Sequence, residues 1–267
     1  MRQIIYHAQC KDGWCSAWIA AKKYPDAQLV PGFYGQPIPE VRGNDVLMVD
    51  FSYPRPVMEK LIADAKSVTV LDHHKTAAEA LNGLQGANIT FDMNRSGAGI
   101  TWDVLFPDEA RPWLVSYVED HDLWKHVLPN ALAVTAYLST LEFNTEAWDR
   151  ELPPERITRA VELGTAIESK TQQYIREVSK NAMRVMFDGN NVPIVNAPQV
   201  DISELLAALC TNELFAVGWF QRSDGSYSYS LRSKEFDVSE LAKKHGGGGH
   251  CHAAGFQLQT MLTLPKA

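Results

Sequence analysis

The chain reads as an α/β protein of two domains: an N-terminal parallel-sheet domain and a smaller C-terminal α/β domain, joined by a helical linker. Three observations predict this. Short apolar runs alternate with helical patterns over the first 75 residues, an order that implies βαβ units because parallel neighbours need crossover connections. The runs Val46-Leu47-Met48-Val49 and Val68-Thr69-Val70-Leu71 are apolar on both faces, as strands covered by helices on each side are. A strongly charged, helix-compatible stretch opening at Pro153-Pro154 separates this pattern from a second strand and helix alternation after Gly189-Asn190-Asn191.

Gln3-Ile4-Ile5-Tyr6 gives the first strand, followed by a helix near Trp14 to Lys23 and a strand at Ala27 to Val30. Asp45 to Val49 is the next strand, Pro56 to Ala65 a helix, and Val68 to Leu71 a strand. Helices follow near Gly97 to Leu105 and Arg111 to Glu119. From Pro153 to about Met186 the pattern is helical, the two prolines marking its start. Beyond it come a strand at Val192 to Asn196, a helix at Ser203 to Cys210, and strands at Phe215 to Phe220 and Ser226 to Arg232. A helix at Val238 to Lys244, a loop at Gly246 to Gly249 and a strand at Phe256 to Leu258 complete the chain. The expected boundaries are 1–150 for the first domain, 151–187 for the linker and 188–267 for the second domain.

Composition narrows the function. The 267 residues are 45% hydrophobic and 21% charged, which excludes disordered, collagenous and coiled-coil classes. With 25 Lys+Arg against 32 Asp+Glu, the chain is not built to coat long nucleic acid through its phosphates. A short anionic substrate stays open if basic groups are concentrated locally. Four scattered cysteines, Cys10, Cys15, Cys210 and Cys251, make no disulfide framework and are read as reduced, hence a cytoplasmic protein. The N-terminal run lacks a secretory h-region, and no stretch is long and apolar enough for a membrane span. The sequence leaves a homodimer open.

The informative feature is where ionisable residues fall. His7 follows the first strand, Asp50 follows Val46 to Val49, and Asp72-His73-His74 follows Val68 to Leu71. Three strands thus deliver His or Asp at their carboxyl ends, the side on which open α/β sheets bind ligands; Asp12-Gly13, just past the first strand, can join them. One Asp after a strand is commonly a cap or turn residue, but the recurrence at three strand ends favours a metal site. Mixed imidazole and carboxylate donors suit Mn²⁺, Fe²⁺ or Zn²⁺ better than an all-oxygen shell would. Two ions bridged by a carboxylate such as Asp50 would activate a shared water for in-line attack on phosphorus.

These residues resemble the DHH family of phosphoesterases, through Asp72-His73-His74, the upstream Asp50 in Val-Asp-Phe-Ser, and His7-Ala8-Gln9-Cys10-Lys11-Asp12-Gly13. Gly246-Gly247-Gly248-Gly249-His250-Cys251-His252-Ala253-Ala254-Gly255-Phe256 is similar to the signature of the C-terminal domain associated with that family in nanoRNases, cyclic-dinucleotide phosphodiesterases and RecJ-like exonucleases. The resemblance implies His7, Asp12, Asp50 and His73 as metal ligands, with Asp50 bridging two divalent ions, Mn²⁺ foremost. It implies His74 and Asp72 as the catalytic pair, His74 beside the reacting phosphate. A further Asp from a later helix end is expected in Val118-Glu119-Asp120-His121-Asp122-Leu123-Trp124, where Asp120 is chosen as the ligand and Asp122 is the alternative. Many family members carry a second Asp in the first motif where this chain has Cys10; a thiolate there would favour Zn²⁺ or Fe²⁺, and a neutral thiol would leave one metal position weaker.

On the substrate side, four consecutive glycines are entropically costly, so the run suggests close backbone approach; Gly247, Gly248 and Gly249 could cradle an anion with His250 as an added donor. Arg232, with Ser233, is placed as a phosphate fork at a strand end. Arg95, in Asn94-Arg95-Ser96-Gly97-Ala98, opens a predicted helix whose amides suit a phosphate, although Ser96 serves equally as an N-cap. Trp14 and Trp124 could stack on a base, or fill core. The expected activity is hydrolysis of short oligoribonucleotides, linear diribonucleotides first, to mononucleotides. The alternatives are a cyclic-dinucleotide or 3',5'-bisphosphate phosphatase, or a nucleotide sensor without turnover.

Overall fold

The computed structural model describes residues 1–265, and the chain divides into two compact units, Met1–Glu168 and Ser169 onward. In the first unit β1 (Arg2–His7), α1 (Lys11–Lys23), β2 (Gln28–Gly32), β3 (Asp45–Val49), α2 (Arg55–Asp64), β4 (Ser67–Asp72), α3 (Lys75–Ala80) and β5 (Asn88–Phe91) come first. The helices α4 (Gly97–Leu105), α5 (Trp113–Asp122), α6 (Ala131–Leu138) and α7 (Thr145–Asp149) follow, and α8 (Arg156–Ser179) runs from this unit into the next. The five strands form one parallel sheet in the order β2-β1-β3-β4-β5.

The pleat sorts the sheet's side chains into two cores. Ile4, Leu47, Val49 and Leu71 join Trp14, Trp18, Ala98, Leu114 and Trp148 on one face; Ile5, Val46, Met48, Val68 and Val70 join Phe51, Met58 and Leu61 on the other. Residues adjacent in sequence thus point to opposite faces, and both faces are covered, which is why these strands read as continuous apolar runs. Removing such side chains from water contributes about 1.5–3 kcal/mol each.

The register fixes the site. Tyr6 lies beside Val49, and Val49 beside Leu71, so the next residues along, His7, Asp50 and Asp72, emerge side by side at the carboxyl edge. Sequence connections from β1 lead first to β2 on one side and then to β3 on the other. That reversal makes the gap between β1 and β3 the switch point at which ligands bind in doubly wound sheets.

The second unit holds β6 (Met183–Phe187), β7 (Asn190–Asn196), α9 (Ile202–Leu209), β8 (Ala216–Gln221), β9 (Tyr227–Arg232), α10 (Val238–Lys244), β10 (Gly248–Gly249) and β11 (Ala253–Leu258). Its six-stranded sheet runs β10-β11-β9-β8-β7-β6, with β7 and β8 parallel and the other pairs antiparallel. Val217 and Ile194 face a core with Val238, Leu241 and Phe256, while Ala216 and Val195 face Ile202, Leu205 and Leu206. The sheet therefore has a helix on each face.

Two expectations are corrected. The helical pattern read to Met186 ends at Ser179, and Met183–Phe187 is instead a strand, turned onto β7 by Asp188 and Gly189, both with left-handed backbone (φ 47° and 82°). Part of the expected loop Gly246 to Gly249 is the short strand β10. No helix among the described residues is long and apolar enough to cross a membrane.

Candidate metal centre

His7, the last residue of β1, and Asp50, directly after β3, meet with Nδ1 and Oδ2 3.4 Å apart. Asp50 has a left-handed backbone, φ 52°, and its amide donates to the Leu71 carbonyl at 2.8 Å, which anchors the turn beside β4. His73 Nε2 lies 3.1 Å from Asp50 Oδ1, 3.6 Å from Asp12 Oδ2 and 3.5 Å from Asp122 Oδ2. Asp12, in the first turn of α1, is fastened from the opposite side: its carboxylate accepts the Gly97 and Ala98 amides at 2.6 and 3.0 Å. These are free amides of the first turn of α4, which favour a negative charge.

One atom each from His7, Asp50 and His74 lie within 4.8 Å of one another, and so do atoms from Asp12, His73 and Asp122. The electrostatics show what such a cluster lacks. Burial opposes charge on Asp50, yet contact with His7 and His73 holds it well below the usual carboxylate range. Burial also opposes charge on the two imidazoles, but the Asp50 contact lifts His7, and Asp122 together with Asp50 lifts His73, well above the ordinary value. Burial and then the neighbouring Asp50 and Asp122 charges push Asp12 well up, and burial pushes Asp122 up as well. Asp12 and Asp50, both buried, and the partly exposed Asp122 thus crowd three carboxylates against His7 and His73, with too little positive charge between them. Both oxygens of Asp50 and one of Asp122 are buried with no hydrogen-bond partner, a costly condition in a folded core. A divalent cation removes both deficits, so the donor set fits the metal that the sequence implies. His7 and Asp50 would hold one ion, with His74 beside them, and Asp12, His73 and Asp122 another.

Asp72 stands behind this cluster. Fully buried, it accepts the amides of His73 and His74 at 2.7 and 3.2 Å, the Ser52 hydroxyl at 2.7 Å, and pairs with His74 Nδ1 at 2.7 Å. Burial opposes its charge, but His74 keeps it below the usual range. It thus fixes the His74 ring and the strand-end turn from behind.

Asp120 is not brought to the cluster. Its carboxylate accepts the amides of Val127 and Leu128 at 3.0 and 3.4 Å, closing the turn after α5, and Asp122 reaches His73 instead. The two side chains are two residues apart on a helix and so point nearly opposite ways; Asp122 continues the Val115 and Val118 stripe at helical spacing, the signal that singles it out. Arg95 is likewise engaged elsewhere: Nη2 pairs with Asp103 at 2.7 Å and donates to the Gly99 carbonyl. Ser96 is the N-cap of α4, accepting the Gly99 amide. Burial and then Asp50 push the Cys10 thiol up, while its contact with His7 works the other way.

In the second unit, the Arg232 guanidinium donates to Ser203 Oγ at 2.8 Å and to the Leu231 carbonyl at 2.9 Å. Ser233 closes a turn by donating its hydroxyl to the Phe236 carbonyl, and the His250 amide donates to the Ala253 carbonyl. The glycine run has local causes. Gly246 (φ 78°) ends α10, with its amide on the Lys243 carbonyl and the Gly247 amide on that of Ala242, a paired helix stop that favours glycine. A Cβ on Gly247 would sit 2.1 Å from the Gly255 carbonyl oxygen, and one on Gly249 2.6 Å from that of Ala253. The close approach expected of these glycines is thus to the chain's own β11; the Gly247 amide is already committed, and Gly248 pairs with Gly255.

Residues 192–267 match the DHHA1 domain. An uncharacterized protein of Acanthamoeba polyphaga mimivirus is 28% identical over 279 residues, covering 94% of this chain and 66% of that protein. A probable bifunctional oligoribonuclease and PAP phosphatase, NrnA, of Streptococcus mutans is 31% identical over 94 residues, 33% of this chain and 30% of that one. The chain therefore spans just under two thirds of the first relative's length, and its match to the second is local. Among solved structures, exonuclease RecJ bound to manganese shares the fold, with a TM-score of 0.51 and 13% identity over 96% of this chain and 86% of that one. Residues 192–267 thus match a DHHA1 domain, the first unit shares its parallel-sheet fold with the RecJ exonuclease, and its strand-end motifs resemble those of the DHH family of phosphoesterases.

Proposed function

We propose that the protein is a divalent-metal-dependent phosphodiesterase that hydrolyses short oligoribonucleotides, linear diribonucleotides first, to mononucleotides, with Mn²⁺ as its ion. The observation that carries this reading is the convergence of Asp12, Asp50 and Asp122 with His7 and His73 at the carboxyl edge of a parallel sheet, with buried carboxylate oxygens that lack hydrogen-bond partners. Bound there, divalent ions supply Lewis-acid stabilisation of phosphoryl charge and make water acidic enough to act as a nucleophile near neutral pH. Asp50, between His7 and His73, serves both halves of the cluster. Asp12 is held in place by the first amides of α4, which keeps it from swinging away when charges change. Asp72 fixes His74 through Nδ1, so Nε2 is the ring atom that takes or gives a proton at the reacting phosphate.

The test is release of mononucleotides from a 5'-phosphorylated diribonucleotide by metal-stripped protein, with and without Mn²⁺, beside a longer RNA, a cyclic dinucleotide and an Asp50→Asn control. Metal-dependent cleavage of the dinucleotide, lost in the variant, is expected; silence on the whole panel, or activity retained in the variant, overturns the reading. The streptococcal relative's description names a PAP phosphatase activity beside the oligoribonuclease, which favours a nucleoside 3',5'-bisphosphate as second substrate, read out as phosphate release. If activity appears only in Cys10→Asp, the protein is a nucleotide sensor without turnover.

A further inference from the structure

Directly after Asp122 the chain enters a strained segment. Trp124, His126 and Asn130 all have left-handed backbone, φ 55°, 48° and 55°. Asn tolerates this region; for a bulky tryptophan it is an outlier. The strain is held by Asp120, whose carbonyl accepts the Lys125 and His126 amides and whose carboxylate accepts those of Val127 and Leu128. The product is an aromatic shelf. The Trp124 ring lies 4.7 Å from that of His126 and 5.4 Å from that of His121, and His121 Nδ1 is 3.2 Å from His126 Nε2.

Ending a helix requires none of this, and the indole it displays is 43% exposed. Backbone strain that persists around an exposed aromatic points to a ligand contact rather than to packing. The ligand class follows from the neighbours: Leu123 alone separates Trp124 from Asp122, which stands 3.5 Å from His73, and Lys11, beside Asp12 in sequence, donates to Ser139. A ligand with a flat π-face joined to a phosphate spans an indole and a metal cluster together.

We infer that Trp124, backed by His121 and His126, is a nucleobase-stacking platform for the nucleotide whose phosphate lies at the metal centre. This rests on the phosphodiesterase reading for its substrate, not for its geometry. Stacking on an indole is tolerant of base identity, so the platform accepts any base and holds purines more tightly than pyrimidines.

The test is calorimetric titration of the Mn²⁺-containing protein with AMP, UMP and ribose 5-phosphate, in wild type, Trp124→Phe and Trp124→Gly. Glycine suits a φ of 55° and removes the ring without adding strain. Wild type is expected to bind AMP more tightly than ribose 5-phosphate. Trp124→Gly should weaken AMP by about 5- to 150-fold, leave ribose 5-phosphate unmoved and melt no lower than wild type, while Trp124→Phe recovers most of the affinity. With the diribonucleotide, KM should rise more than kcat falls. Equal AMP affinity in wild type and Trp124→Gly, or a wild type that does not distinguish AMP from ribose 5-phosphate, overturns the platform. A wild type that hydrolyses nothing yet shows the AMP pattern keeps the platform and sinks the phosphodiesterase reading. Diribonucleotide hydrolysis with KM unmoved in Trp124→Gly sinks the platform alone.

Discussion

Asp50 combines a functional position with a backbone, φ 52°, that short polar residues tolerate and alanine does not. Asp50→Asn is therefore the clean probe: it keeps the conformation and removes the charge shared by both halves of the cluster. It should abolish Mn²⁺-dependent hydrolysis and the rise in melting temperature that Mn²⁺ gives to wild type, with the circular dichroism spectrum unchanged. Asp72→Asn tests orientation instead of ligation, and should lower turnover by about 10- to 100-fold while the Mn²⁺-induced shift in melting remains. Asp120 and Asp122 divide the same way. Asp120→Ala strips the Val127 and Leu128 amides of their acceptor and should cost about 1–3 kcal/mol of stability in urea unfolding. Asp122→Asn should spare stability and lose the metal effect; the reverse pattern would return the ligand to Asp120. Placement at strand ends brought out His7, Asp50 and Asp72-His73-His74, and the family resemblance picked His7, Asp12, Asp50 and His73 as the ligands. Between Asp120 and Asp122 strand placement is no guide; only the helical stripe of Val115 and Val118 points to Asp122, and the left-handed turn after it carries no glycine to announce it.

At the scale of elements, the site depends on how closely the start of α4 approaches the strand ends. A Cβ on Gly97 would lie 2.4 Å from Asp50 Cβ and 2.9 Å from Asp12 Oδ2, closer than side chains can stand. Gly97→Ala should therefore gain local helix propensity and still weaken Mn²⁺ binding, because Asp12 and Asp50 must move apart. Calorimetric titration with Mn²⁺ would show this, and unchanged affinity would mean that the close approach is idle. The elements legible in the sequence include those with a strongly buried face, such as β1, β3, β4, α4 and α10. The six-residue α3 has no buried residue and so carries no apolar period. β5 is a four-residue edge strand with alternating exposed and half-buried positions, too short to stand out from a loop. β6 was hidden because its residues continue a charged helical stretch, and only the turn at Asp188-Gly189 separates it from β7. The glycine run was legible as a place of close approach, but not what approaches: the partner is β11, far enough along the chain that only folding brings it near.

For the molecule as a whole, the metal centre ties stability to pH in a direction opposite to the usual one. In the metal-free state His7, His73, Asp12 and Asp122 all hold protons more tightly than they would in the unfolded chain, while Asp50 and Asp72 hold theirs less tightly. For the histidines, the stabilisation is complete below the unfolded value of about 6.5 and is lost as pH rises through their raised folded values. For Asp12 and Asp122, the folded state binds protons above the usual carboxylate range, so it too loses ground as pH rises. Asp50 and Asp72 contribute in the other sense, but their loss falls in acid, below the window of interest. At these groups the native state thus carries more protons than the unfolded one from about pH 6 upward, which lowers stability as pH rises, while His121, held well below the ordinary imidazole value by burial, works the other way only up to about pH 7. A bound cation replaces those protons, so Mn²⁺ should flatten the decline and stabilise most at the alkaline end. Six of the seven tryptophans, Trp14, Trp18, Trp102, Trp113, Trp124 and Trp148, lie in the first unit, so intrinsic fluorescence reports its melting within the full chain. Metal-stripped protein should melt at lower temperature at pH 8 than at pH 6, and saturating Mn²⁺ should reduce that difference. A metal-stripped melting temperature that rises over this window would mean that the carboxylates and imidazoles at the strand ends do not share protons as the geometry requires.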